Sequence, residues 1–266
     1  MRNRPIRDTL QRAIGALRLH SVGRTDRVAL AELINSLRPI DAGFDLLRLG
    51  PEGDGGYLIP DDINGIEYAF SPGVSTESGF EASLVERGMQ VFLADYSVDG
   101  PGQASDKFSF EKKYIGSFAD PSHMTLDVWK TSTIGDYASD LLLQMDIEGA
   151  EFEALLNTSD SLLCQFRVLV IEFHYLHQLW NKPWFLIVKR VFEKLLANHS
   201  VVHIHPNNGS GSFKSRGLEI PRVAEFTFIR NDRIKQRQPA TIFPHPLDRD
   251  NKRRKKTMVL PPCWYR

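Results

Sequence analysis

The chain has 266 residues, and its 33 Lys and Arg balance 33 Asp and Glu, so no net charge draws it toward nucleic acid or membrane. No apolar run approaches the ~20 residues that span a bilayer, and no secretory h-region is present. Cys164 and Cys263 have neither metal nor redox spacing, which fits a reducing, cytoplasmic setting.

The charge is uneven along the chain. Both ends are basic (MRNRPIRDTLQRAIGALRLH and DRDNKRRKKTMVLPP), as solvated tails are. The spacing of Ile6, Leu10, Ala13, Ile14 and Leu17 predicts an amphipathic helix, packed on the domain or on a second copy in a homo-oligomer, with a surface-membrane helix or an organellar presequence as the lesser alternatives. A second helix is expected with Thr25 as its cap and Val28, Leu30, Leu33, Ile34 and Leu37 as apolar positions, ending before Pro39. Residues 1–44 thus read as an N-terminal helical extension, 45–240 as the main domain and 241–266 as a basic C-terminal tail. The length suits one sizeable α/β domain with such extensions.

The main domain opens with RLGPEGDGGYLIPDD, a glycine-rich turn around a short Tyr57–Ile59 strand. From Ile66 onward, strand-like and helix-like segments alternate, the rhythm of a parallel sheet with crossover helices. Strands are predicted at 66–71, 90–95, 107–115, 141–146 and 167–173, and helices near 77–87, 123–130, 150–157 and 184–198. VVHIH (201–205) and AEFTFIRND (224–232) flank a loop with Asn207, Asn208 and several glycines, and read as an antiparallel pair. Five parallel strands closed by such a hairpin make a mostly parallel, seven-stranded Rossmann-like sheet of the class I methyltransferase type.

Ligands of open α/β sheets sit outside the carboxyl ends of the strands. The first strand ends in SPGVSTESGFE, where Ser71 and Gly73 allow close backbone approach, although the dinucleotide pattern G-x-G-x-x-G is absent. The second ends at Asp95, placed to accept both hydroxyls of a ribose, with Tyr96 beside it to lie against a base. The fourth, LLLQM, is apolar enough to be buried on both faces and runs into Asp146, Glu148 and Glu151. A helix dipole accounts for Glu148 and Glu151, but it does not require Asp146 on the strand. The fifth ends in Glu172, Phe173 and His174, and a histidine at the mouth of the sheet beside a carboxylate suits a general base. His203 and His205 alternate along one strand and share a face. Asn207 and Asn208 offer both donors and acceptors, which suits a hydroxyl-rich ligand and equally suits a turn.

Together these segments resemble the FkbM-like methyltransferases, S-adenosylmethionine-dependent enzymes, over roughly residues 45 to 250. The most specific match is QMDIEGAEFEAL; GDGGYLIP, SPGVSTESGFE, VFLAD, LVIEFH, HIHPNNG, IPRVAEFTFIRND and FPHPLDRDN support it. Gln144 departs from the family's usual lysine, and the cofactor loop carries one glycine where many methyltransferases have three. The resemblance implies methyl transfer to oxygen, commonly a sugar hydroxyl of a glycan or other small acceptor. On it, S-adenosylmethionine is expected at Ser71, Gly73, Asp95 and Tyr96, and the acceptor at Asn207, Asn208 and Glu172. Catalysis falls to His174 with Asp146 and Glu148, with His205 as the second candidate base, and the loop 206–222 is expected to be mobile and to choose the acceptor. Asp146, Glu148 and Glu172, with Asn208, could gather a divalent cation, but no ligand spacing compels one. Rival readings are a nicotinamide-dependent oxidoreductase on a similar sheet and a catalytically silent glycan-binding module.

Overall fold

A computed structural model describes residues 23–74 and 76–266; the amphipathic helix expected around Ile6–Leu17 lies outside them. Seven strands form the central sheet: β1 (Tyr68–Pro72), β2 (Gln90–Ala94), β3 (Phe108–Glu111), β4 (Leu141–Met145), β5 (Phe166–Phe173), β6 (His199–Pro206) and β7 (Ala224–Arg230). Their order is β3-β2-β1-β4-β5-β7-β6. Strand β7 lies between β5 and β6, antiparallel to both, and the other pairs are parallel. That order, with a single reversed strand, is the class I Rossmann-like methyltransferase sheet. No helix of the described residues is long and apolar enough to cross a membrane.

The centre of the sheet follows from apolar continuity. Every residue of β4 and of β5 is buried, as parallel strands covered on both faces must be. The covering helices are α1 (Arg27–Ser36), α2 (Gly79–Glu86), α3 (Leu126–Ile134), α4 (Glu151–Asn157), the single turn α5 (Asp160–Leu163) and α6 (Lys182–Leu196). Helix α6 starts with Pro183 in its first turn and buries Phe185, Val188, Val191, Phe192 and Leu195 along one stripe.

Several sequence expectations change at element ends. Asp26 caps α1, accepting from the amides of Val28 and Ala29, whereas Thr25 donates its hydroxyl to Leu179 O. Strand β3 stops at Glu111, and Tyr114–Ile115 pairs instead with His123–Met124, residues expected in a helix. Helix α3 begins only at Leu126, after Thr125 accepts from Val128 N. The loop after β6 is an ordered hairpin, Ser212–Ser215 against Leu218–Pro221, tied to the core by buried Leu218 and Ile220. Residues 241–266, read as a basic tail, fold back on the domain and bury Asn251, Leu260 and Trp264.

Candidate active site

A cleft of about 510 Å³ opens where β1, β2 and β4 end. Its wall carries the carboxyl groups of Asp54, Glu77, Glu81, Asp95, Asp146, Glu148 and Glu153, and among the described residues neither Lys nor Arg lines it. The three strand ends are locked together, because Gly73 N donates to Ala94 O at 2.9 Å and Asp146 N to Pro72 O at 3.2 Å. Gly73 has a φ of +88°, and a Cβ there would lie 1.6 Å from the Asp146 carbonyl oxygen. Only glycine permits this approach, which forms the floor of the cleft.

Asp95 is held at the end of β2 by Ser97, whose amide and hydroxyl both donate to its Oδ1 at 2.7 Å. Ser71 is fully buried beneath the cleft, within hydrogen-bond distance of Glu81 Oε1 (2.5 Å) and Gln144 Oε1 (2.7 Å). One hydroxyl proton cannot serve both acceptors. Burial pushes Glu81 up to about 7 against the opposing Ser71 hydrogen bond, so its carboxylic acid can donate to Ser71 while Ser71 donates to Gln144. Gln144 Nε2 in turn donates to the Tyr57 hydroxyl at 3.2 Å. A neutral amide at 144, where the family has a lysine, completes this network without bringing in a cation.

The acids after β4 have distinct places. Glu151 is fully buried, and its Oε1 accepts from Ile147 N (3.2 Å), Gly149 N (3.0 Å) and His174 Nδ1 (3.0 Å). It therefore stitches the turn that follows β4 to the residue that ends β5. The other ring nitrogen, His174 Nε2, lies 3.4 Å from Glu148 Oε2 and 4.0 Å from Asp146 Oδ1. The turns after β4 and β5 are both conformationally costly: Glu148 in the first and Tyr175 in the second have a φ of 55°, and a Cβ on Gly149 would meet the Tyr175 ring at 2.3 Å. Burial alone would lower the His174 pKa, but Glu151, Asp146 and Glu172 outweigh it and raise the imidazole to about 9. Asp146 moves well above the usual carboxylate range, mainly through burial and then through Glu172. Its Oδ1 is buried without a hydrogen-bond partner, so the group can still take a donor or cation from the cleft. Asp146, Glu148 and His174 also bring ligand atoms within 4.8 Å of one another.

The remaining sequence candidates are dispersed. Tyr96 is 44% exposed and packs on Tyr114, so Tyr114 rather than Tyr96 lines the cleft. Glu172 is buried behind the lining, accepts from Asn207 Nδ2 at 2.8 Å, and is raised to about 7 by burial and by Glu225. It is therefore not placed to join Asp146 and Glu148 around a cation. Asn207 also accepts from Gly209 N at 2.8 Å and so shapes its turn. The amide of Asn208 is occupied by the C-terminal segment: Nδ2 donates to Lys252 O (3.0 Å) and Oδ1 accepts from Lys252 N (2.8 Å). Neither asparagine lines the cleft, nor does His205, which sits with Asp248; His174 stands behind the lining as well, but within 3.4 Å of Glu148 and 4.0 Å of Asp146 on the wall.

Sequence reasoning missed Asp54, Tyr57, Glu81 and the role of Glu151 as a partner of His174. The signals for Asp54 and Tyr57 were present in GDGGY. Asn251 anchors Asp54, with Nδ2 bonded to it at 3.1 Å, and belongs to FPHPLDRDN.

The model of the methyltransferase FkbM domain matches residues 76–215, just over half of the chain. No curated protein matches the sequence. Among solved structures, a fibrillarin/NOP5p complex is similar at 14% identity and a TM-score of 0.36, over 62% of this chain and 73% of that one. A variant of the 16S rRNA (adenine(1408)-N(1))-methyltransferase from Catenulisporales acidiphilia is similar at 9% identity and 0.30, over 69% and 98%. Both likenesses are distant, and the fold assignment rests on the strand order.

Proposed function

Because this chain belongs to the FkbM methyltransferase family, we propose that it is an S-adenosylmethionine-dependent O-methyltransferase acting on a hydroxyl of a sugar or glycoconjugate. The observation that carries the proposal is the Glu151–His174 pair at 3.0 Å, whose free ring nitrogen lies 3.4 Å from Glu148 and 4.0 Å from Asp146, two acids of the cleft wall. The cleft fits this cofactor. An orphaned Asp146 oxygen and a wall of carboxylates suit a ligand with sulfonium and ammonium charges, and the Gly73 floor admits close contact. The same wall opposes the pyrophosphate of a nicotinamide dinucleotide, which needs donors or cations that these residues do not supply.

Bound S-adenosylmethionine supplies an electrophilic methyl group on a cationic sulfur. Asp95 would hold the ribose, and the unpartnered Asp146 carboxyl, ionised by the approach of the ligand's positive charge, would favour the cationic end. Transfer is an in-line displacement, so the protein mainly aligns acceptor oxygen and methyl carbon. A sugar hydroxyl is a poor nucleophile, and His174 Nε2 would take its proton. Glu151 fixes the ring through Nδ1 and stabilises the imidazolium that results. The same stabilisation keeps His174 largely protonated at neutral pH. The rate should therefore climb to about pH 9, instead of levelling off above the ordinary histidine value of ~6.5. Free Cys164 and Cys263 support a reducing compartment for the activity.

The test is incubation with labelled S-adenosylmethionine and cell-derived glycan fractions, followed by mass analysis of what gains a methyl. A methyl ether on a sugar is the expected product, and methylation confined to nitrogen would refute the acceptor class. His174→Gln should lower kcat by roughly 10²–10⁴ with cofactor affinity nearly unchanged. A silent glycan-binding module would bind sugar and transfer nothing.

A further inference from the structure

His203 and His205 share a face of β6, and Asp248, from the segment that folds back after β7, meets them there. His203 Nε2 lies 2.8 Å and His205 Nδ1 3.4 Å from the same atom, Asp248 Oδ1. One ligand atom from each falls within 4.8 Å of the other two. The three side chains are only 4%, 9% and 6% exposed. His205 Nε2 is buried without a hydrogen bond and Nδ1 has only its 3.4 Å approach to Asp248, a costly state for a polar ring unless something binds it. Asp248 is held from behind, since its Oδ2 accepts from His245 N at 2.7 Å. Glu225 stands directly opposite His205 in the β6–β7 ladder and adds a second buried carboxylate. None of these residues lines the cleft.

We infer that His203, His205 and Asp248 bind a zinc-class divalent cation, separate from the catalytic cleft, that fastens the returning C-terminal segment to β6. Two imidazoles and one carboxylate suit zinc rather than magnesium or calcium, which prefer all-oxygen sets. Ligands about 2.0–2.1 Å from a tetrahedral zinc stand about 3.3 Å apart, so the His205–Asp248 pair already fits and the His203–Asp248 pair must open by about half an ångström. Water or Glu225 completes the set. The orientation of Asp248 by a backbone amide is the outer-shell support such ligands usually have. The ion's influence reaches the cleft through Asn251, three residues on, which donates to Glu225 Oε1 (2.8 Å) and to Asp54 Oδ1 (3.1 Å) on the cleft wall.

The competing account is an ion-free network, in which Asp248 and Glu225 outweigh burial and hold His205 protonated, raised to about 9. Calorimetric titration of the chelator-stripped full chain with ZnCl₂ separates the two. One ion per chain is expected, with Tm raised by about 5–10 °C at a hundredfold excess over Kd. Affinity should fall about a hundredfold or more in His205→Gln and Asp248→Asn and persist in His174→Gln, since losing a residue that merely orients a ligand already costs about 10–100-fold. X-ray absorption of the Co²⁺-loaded wild type needs no variant to fold. It should report two imidazole ligands, which the cleft group with its single histidine cannot supply. No zinc binding by the folded wild type, a cobalt site with fewer than two imidazoles, or binding lost in His174→Gln and kept in His205→Gln would overturn the inference.

Discussion

Glu151 decides the character of the site at the scale of one residue. Its single oxygen serves two backbone amides and the His174 ring, so its substitution changes both shape and charge. In Glu151→Gln, the rise of rate with pH should shift down from about 9 toward 6.5, and kcat should fall at least tenfold; a pH–rate profile measures both. The stability consequence has a definite sign. His174 is raised in the folded state, so its contribution is fully present below the unfolded value of ~6.5 and is lost as pH rises through about 9. Urea unfolding of the wild type against His174→Gln should show the wild type losing about 1–3 kcal/mol more over that window. Equal losses would detach Glu151 from the titration. Gly73→Ala places a methyl group on the Asp146 carbonyl and should cost about 2–4 kcal/mol, read as a fall in Tm together with loss of cofactor binding.

The elements were legible where the apolar pattern was continuous and illegible where local hydrogen bonding decided the outcome. Strands β4 and β5 announce themselves by unbroken burial. The break at Glu111 and the start of α3 at Leu126 depend on pairing between residues 114–115 and 123–124, which no local periodicity encodes. The asparagines are the sharpest case. Their chemistry suits a sugar, but Asn208 spends its amide on Lys252, forty-four residues along the chain. Asn208→Ala should therefore lower stability by about 1–3 kcal/mol and open residues 252–258 to proteases, while acceptor KM stays at the wild-type value. A raised acceptor KM with unchanged stability would return Asn208 to the acceptor site.

At the scale of the whole molecule, the order of strands could be anticipated because crossovers and the closing pair leave few topologies open. The C-terminal segment could not, because its Lys and Arg clusters look like a solvated tail. Its buried Leu260 and Trp264, and Asn251 bonded to Glu225, are what turn it into part of the domain. The candidate site was legible as a set of strand ends, but its electrostatics emerged only when GDGGY, the loop before α2 and α2 itself brought Asp54, Glu77 and Glu81 to the same wall. That wall suits a cationic nucleoside over an anionic dinucleotide. The most direct measurement is calorimetric titration of wild type and Asp95→Ala with S-adenosylmethionine and with a nicotinamide dinucleotide. Only S-adenosylmethionine should bind the wild type, and Asp95→Ala should weaken it by roughly 10–100-fold, about 1.5–3 kcal/mol. Binding of the dinucleotide without S-adenosylmethionine, or S-adenosylmethionine affinity unchanged in Asp95→Ala, would contradict this.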